Sequence, residues 1–88
     1  MITLSQIDTF CTVVERGSFT QAAKLRGVTP GAISNHIHGL ETRLQPPLFK
    51  RDGGAVKITP AGKTFAKHAT EIMRHIAQIE MRIDALKQ

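Results

Sequence analysis

Residues 18–37 read Ser18-Phe19-Thr20-Gln21-Ala22-Ala23-Lys24-Leu25-Arg26-Gly27-Val28-Thr29-Pro30-Gly31-Ala32-Ile33-Ser34-Asn35-His36-Ile37, and this stretch decides the fold. Ser18 followed by Gln21 matches a capping box, so a helix is predicted over 19–26. Thr29-Pro30 places a hydroxyl at an N-cap and proline at the first helical position, where its missing N–H costs nothing. Only Gly27 and Val28 separate the two helices, which suits the tight angle of a helix-turn-helix over 18–37. In the second of them, Ile33, Ile37, Leu40 and Leu44 form an apolar stripe, leaving Gly31, Ser34, Asn35, His38 and Thr42 toward solvent.

Outward from that pair the punctuation continues. Thr3-Leu4-Ser5-Gln6 is a second capping box, which predicts a first helix over 4–16 ending at Gly17. Leu4, Ile7, Phe10, Cys11 and Val14 share its expected core face. Pro46-Pro47 stops the third helix near residue 44. Leu48–Arg51 and Val56–Ile58 then flank Asp52-Gly53-Gly54-Ala55, the pattern of a short β-hairpin. Thr59-Pro60 opens a last helix over 60–86. The expected fold is mainly α: a winged helix-turn-helix, three helices plus a β-hairpin wing over 48–58, within residues 1–59. A long linker helix over 60–88 follows it.

Composition sets the limits. Eighty-eight residues make one domain with a thin core. No uninterrupted apolar run exceeds two residues, which excludes a transmembrane helix and a signal-peptide core. Cys11 is the single cysteine, so no internal disulfide and no zinc site built on cysteine pairs is possible. It reads as a small helix residue in a reducing, cytoplasmic setting. Of the net charge of +5, all sits in residues 42–67, where Arg43, Lys50, Arg51, Lys57, Lys63 and Lys67 face one acid, Asp52. Charge focused in one segment is the footprint of a polyanion partner, the alternative being a solvated surface. The four Phe, with no Trp or Tyr, fall among other apolar residues, so bases have no obvious aromatic stacking platform. Duplex DNA fits better than single strands, and no helix combines the basic and bulky apolar faces that a membrane surface requires.

Metal and catalysis find little support. His36 and His38 point to different sides of a helix, and His68 and His75 lie about 10 Å apart along another, with no further ligand at suitable spacing. Ser34 and His38 share a helical face, but no acid is placed to orient the histidine. Gly53-Gly54 lacks the Lys-Ser/Thr of a phosphate loop. Neither metal nor cofactor nor enzymatic activity is expected. The last helix carries Phe65, Ala69, Ile72, Ile76, Ile79, Ile83 and Leu86 at alternating spacings of four and three, a heptad seam longer than this small domain can cover. Self-association through that seam, most simply as a homodimer, is expected; packing on its own domain is the alternative.

Several of these runs are familiar in combination. Glu15-Arg16-Gly17-Ser18-Phe19-Thr20-Gln21-Ala22-Ala23 resembles the N-terminal signature of LysR-type transcriptional regulators. Ala32-Ile33-Ser34, Ile37, Leu40-Glu41, Leu48-Phe49-Lys50-Arg51 and Ile58-Thr59-Pro60-Ala61-Gly62 continue the likeness in the same order over essentially the whole chain. The resemblance implies a sequence-specific, double-stranded-DNA-binding transcription regulator that reads operators with helix 30–44 and dimerises through the linker helix. It also implies that a small-molecule effector binds a C-terminal domain absent from this chain.

Four departures from the family pattern stand out. Pro30 stands where a base-reading Gln is usual, so that contact is not carried over. Arg26 replaces an apolar Leu, with Leu25 one step earlier; either its stem covers the core or the second helix is rotated. Gln45-Pro46-Pro47 replaces a glycine turn, and Gly54 stands where many members carry a second wing arginine.

The expected division of labour follows. Lys50, Arg51, Lys57, Lys63 and Arg43 should grip phosphates, helped by helix N-termini at Ser18, Thr29 and Thr59, with Thr20 beside the first of these. Thr29, Gly31, Ser34, Asn35 and His38 should face base edges, Pro30 offering an apolar contact to a thymine methyl and Asn35 a bidentate pair with adenine. The alternative is a winged-helix protein-assembly module, whose basic segment would meet an acidic protein.

Overall fold

The computed structural model describes residues 1–52 and 55–87. The fold comprises four helices, α1 (Leu4–Arg16), α2 (Phe19–Arg26), α3 (Pro30–Leu44) and α4 (Pro60–Leu86), and an antiparallel hairpin of β1 (Phe49–Asp52) and β2 (Ala55–Ile58) between α3 and α4 in the chain. Three helices, a wing and a long helix form as expected. β1 lies one residue later than the sequence reading, and β2 begins one residue earlier than expected and ends at Ile58 as expected. Gly53 and the Gly54 departure lie outside the described residues.

The caps form by ordinary chemistry. Thr3 Oγ1 accepts from the Gln6 amide at 3.1 Å while Gln6 Oε1 accepts from the Thr3 amide at 2.9 Å, a complete capping box. At α2 only the forward half appears, Ser18 Oγ accepting from the Gln21 amide at 3.2 Å. Thr29 caps α3 and Thr59 caps α4 in the same way. Gly17 and Gly27 end α1 and α2 in the left-handed conformation, at φ 69° and 68°.

Phe10 is the centre of the core. It is fully buried, 5.0 Å from the Phe49 ring and 4.8 Å, edge-on, from Phe65. Ile33, Ile37 and Leu40 of α3, Ala22 and Ala23 of α2, and Leu48 before the wing close around it. Burying each of the larger aliphatic side chains stabilises the fold by about 1.5–3 kcal/mol.

The expected core face of α1 is partly wrong. Leu4 and Val14 are exposed, while Thr9, Thr12 and Val13 are buried. Polar partners turn the helix. Thr9 Oγ1 and His36 Nδ1 of α3 share a hydrogen bond at 2.7 Å, and Thr12 Oγ1 donates to the Asp8 carbonyl at 3.0 Å. Arg26 completes the arrangement, pairing with Asp8 at 2.9 Å and donating to Thr12 Oγ1 at 3.4 Å. Arg26 thus keeps the inward position of the family's apolar residue, its charge met by α1, and Leu25 is exposed. The helix is not rotated.

Two junctions place the wing. Glu41 of α3 accepts through Oε2 from the Leu48 amide at 2.7 Å and the Phe49 amide at 3.2 Å, fixing the start of β1. Thr59 Oγ1 donates to the Pro47 carbonyl at 2.6 Å while capping α4, so the chain leaving β2 is tied to the chain entering β1. Gly62 lets α4 approach: a Cβ there would collide with the Leu48 carbonyl oxygen.

The docked half of α4 ends early. Ala69 is its last buried residue and Ile76 the last half-buried one, and the helix projects beyond, giving the molecule a long dimension of 49 Å. Among the described residues no helix is long and apolar enough to cross a membrane.

Candidate nucleic-acid interface

Helical geometry sorts the residues of α3 into four sectors, at about 100° per residue. Ile33, Ile37 and Leu40 face the core. Opposite them, Asn35 and Thr42 form the outward crest, with Gly31 and His38 beside it, all exposed. Ser34 and Glu41 occupy the flank toward the wing. His36 and Arg43 lie on the opposite flank, where His36 meets Thr9 of α1. Arg43 is exposed on that flank, away from the wing. Thr29 and Pro30 are exposed at the start of the helix, the Thr29 hydroxyl committed to the Ala32 amide at 3.1 Å.

The wing alternates as a two-residue period requires. Phe49 pairs with Ile58 and Arg51 with Val56; these share the face turned to the domain. Lys50 pairs with Lys57 on the other face, with Asp52 and Ala55 next in register. Like charges directly across a hairpin are destabilising. Lys57 finds partial relief in Asp52 at 3.3 Å, an exposed pair worth little in water. Lys50 has no ion-pair partner among the described residues.

Arg51 behaves differently from the lysines. Its Nη2 donates to Ser34 Oγ at 2.9 Å, and its guanidinium lies 4.4 Å from the centroid of the Phe19 ring. Phe19 in turn packs edge-on against Phe49 at 6.2 Å. One side chain of the wing therefore touches the first residue of α2 and the flank of α3. His38 Nε2 and Thr42 Oγ1 share a long hydrogen bond of 3.4 Å along the crest.

The remaining sequence-predicted residues are dispersed. Ser18 is half-buried, its hydroxyl spent on the cap of α2, and Thr20 is exposed in the first turn beyond it. Lys63 is exposed in the first turn of α4. Neither Lys63 nor Arg43 forms a side-chain hydrogen bond or ion pair with the α3–wing cluster among the described residues. Periodicity missed three contributors: the Phe19 ring under Arg51, Glu41 at the start of β1, and His36 as the link from α3 to α1. All three act across the tertiary fold, where no local spacing announces a partner.

The seam of α4 is split by the fold. Phe65 packs against Phe10, and Ala69 is only 1% exposed, so both are used inside the domain and are not available to a partner surface. Ile72, Ile79, Ile83 and Leu86 are exposed at 40%, 50%, 51% and 79%. Leu4 joins the exposed set, lying beside Ile72 and Ile76 with His68 and His75 at the margin. Among the described residues no group of three His, Cys, Asp or Glu side chains is arranged to hold a metal ion.

Comparison with known proteins agrees with this architecture. Residues 4–63 match the model of the bacterial regulatory helix-turn-helix proteins of the lysR family. An uncharacterized HTH-type transcriptional regulator of Methanocaldococcus jannaschii is 34% identical over 97% of this chain. A probable nitrogen assimilation transcriptional activator of Synechocystis is 40% identical over 97% of it. The chain spans 29% and 27% of the lengths of these two relatives. Among solved structures, the BenM DBD in complex with catB site 1 DNA superposes with a TM-score of 0.90 at 29% identity, covering 98% of this chain and 97% of that one. A family of regulators rather than of enzymes is what the helices, the wing and the long helix all match. The chain belongs to the lysR family of bacterial regulatory helix-turn-helix proteins and is a DNA-binding domain of a transcription regulator of that type.

Proposed function

We propose that α3 lies in the major groove of duplex DNA with its crest toward the bases, while the wing grips the phosphates alongside. The observation that carries this division is the wing itself. Lys50 and Lys57 oppose each other across the hairpin at a cost in stability, and a polyanion reverses that cost. Lys50, Lys57 and Arg51 serve as the main phosphate ligands, with Lys63 and Arg43 at the edges of the footprint. Backbone amides at the N-termini of α2, α3 and α4, capped by Ser18, Thr29 and Thr59, add weaker attraction, with Thr20 nearby. Asn35 and His38 reach base edges, and Pro30 and Gly31 leave room for close approach at the helix start.

Residues 1–59 form the reading unit in this proposal, and α4 beyond Ala69 is the surface for a second copy. The whole regulator works in the cytoplasm, where its operator lies. A small-molecule effector acts on the part of the relatives that this chain does not span.

Equilibrium binding to a duplex across a salt series tests the reading. About four to six phosphate contacts per subunit give a log–log slope near −4 to −5 per subunit. Affinity that ignores salt would overturn it and favour an acidic protein as the partner of the wing.

A further inference from the structure

Ser34 sits on the reading helix next to Asn35, yet its surroundings differ. Asn35 and His38 are exposed, whereas Ser34 is half-buried on the flank facing the wing. Its hydroxyl oxygen accepts from Arg51 Nη2 at 2.9 Å. A serine side chain is too short to hold the wing on one side and reach a base edge on the other. Arg51 is also unusual for a phosphate ligand. Its register opposite Val56 puts it on the face of the hairpin shared with Phe49, turned toward the domain. The Phe19 ring supports the guanidinium from below at 4.4 Å.

We propose that Ser34 is a positioning residue: together with Phe19 it holds the Arg51 guanidinium as a pre-set phosphate clamp, and it reads no base. The inference rests on the DNA-binding mode proposed above and assigns one of its residues a different role.

Three features support the clamp. A guanidinium carries five N–H donors in a fixed fork, so one bond to Ser34 leaves donors for a phosphate oxygen. The stacked face is satisfied by the ring, which leaves the edge as the binding side. Glu41, the carboxylate in the same cleft, is committed to the Leu48 and Phe49 amides. Among the described residues no carboxylate lies within ion-pair distance of Arg51, so its charge remains available to an anion. Fixing a flexible arginine before DNA arrives removes ordering that binding would otherwise have to supply. The same contact sets the distance between wing and recognition helix, because Arg51 belongs to β1 and Ser34 to α3.

The test has a DNA-free arm and a DNA arm. In the free protein, the Arg51 side-chain N–H resonances should be shifted by the Phe19 ring current and slowed in solvent exchange. Ser34→Ala, which favours helix, should abolish the slowing. Phe19→Leu, which keeps an apolar side chain, should abolish the ring-current shift. If Arg51 exchanges freely in the unmodified chain, the clamp does not exist, whatever the protein binds.

In the DNA arm, site selection and affinity are measured for Ser34→Ala, Arg51→Ala and the double variant. Ser34→Ala should weaken binding about tenfold on selected and random duplexes alike, with base preference unchanged at every position. The double variant should bind no more weakly than Arg51→Ala alone, since both remove one device. Arg51→Lys, keeping charge without the fork, should not restore affinity. Relaxed preference at one base pair in Ser34→Ala, or additive losses in the double variant, would overturn the proposal while leaving the DNA-binding reading intact. An unmodified chain with a slowed, ring-shifted Arg51 but no affinity for any duplex would instead remove that reading, and the clamp's role on phosphate with it.

Discussion

Asn35 stands at the crest of α3, exposed, with no side-chain partner among the described residues, and its amide can both donate and accept. That pairing capacity suits adenine, so Asn35→Ala should relax preference at one position. The expected cost is about 1–3 kcal/mol on the best site and little on random DNA, read by comparing the two affinities. Lys57 should behave oppositely. Its pair with Asp52 is exposed and weak, so Lys57→Ala should leave the fold intact. Binding to both duplexes should fall together and the salt slope should flatten by about one unit. Cys11 illustrates a quieter role. Burial first, and the nearby Asp8 charge second, push its thiol above the usual range, so little thiolate exists at neutral pH. Alkylation by iodoacetamide at pH 7 should therefore run well below the rate of an unfolded peptide cysteine.

Residue identities on the crest were legible because exposure follows from a 3.6-residue period. Partners were not: Ser34 with Arg51, His36 with Thr9, and Arg26 with Asp8 join residues 17 to 27 positions apart.

Element boundaries were the most legible features, since each helix announces itself by a hydroxyl cap and the first three end at a glycine or just before a proline. The turn between α3 and β1 shows what a substitution there costs. Gln45 caps α3 at φ 83° and ψ −60°, a left-handed, strained conformation for a residue with a Cβ, and Pro46 removes the amide that would close the turn. Gln45→Gly should relieve that strain and more than offset the extra freedom glycine gives the unfolded chain. A net gain of about 1 kcal/mol is expected in denaturant unfolding. At the junction of wing and α4 the sign reverses. Gly62→Ala would drive a methyl into the Leu48 carbonyl, with the Ile58 side chain 2.6 Å away on another side. Loss of about 2 kcal/mol and a Tm lower by roughly 10 °C are expected. The face of α1 was the element misread by periodicity. Hydrophobicity ranks Leu4 and Val14 above Thr9 and Thr12, but a buried hydroxyl with a partner is stable, and helix packing followed the partners.

At the scale of the whole molecule, α4 is the feature a single domain does not complete. The sequence shows one uninterrupted heptad seam; the fold divides it, because Gly62 brings the first half against α1 and the wing. Phe65 and Ala69 belong to the core, and Ile72, Ile79, Ile83 and Leu86 are left to water on a helix that extends past everything able to cover it. Two symmetric copies crossing along this distal half would bury those residues, with Leu4 at the edge. They would also hold two α3 helices in fixed relation, as paired half-sites require. Ile79 is the informative position, since it lies beyond the docked half and its replacement leaves the core untouched. Burial of one isoleucine contributes about 1.5–3 kcal/mol, and symmetry counts it twice. Ile79→Asp should therefore weaken association by more than about a hundredfold. Sedimentation at micromolar concentration should show a dimer for the unmodified chain and a monomer for the variant, with equal helix content by circular dichroism. A monomeric unmodified chain would mean that the exposed seam meets another surface of the whole regulator. Half-site spacing would then have to be set by something other than α4.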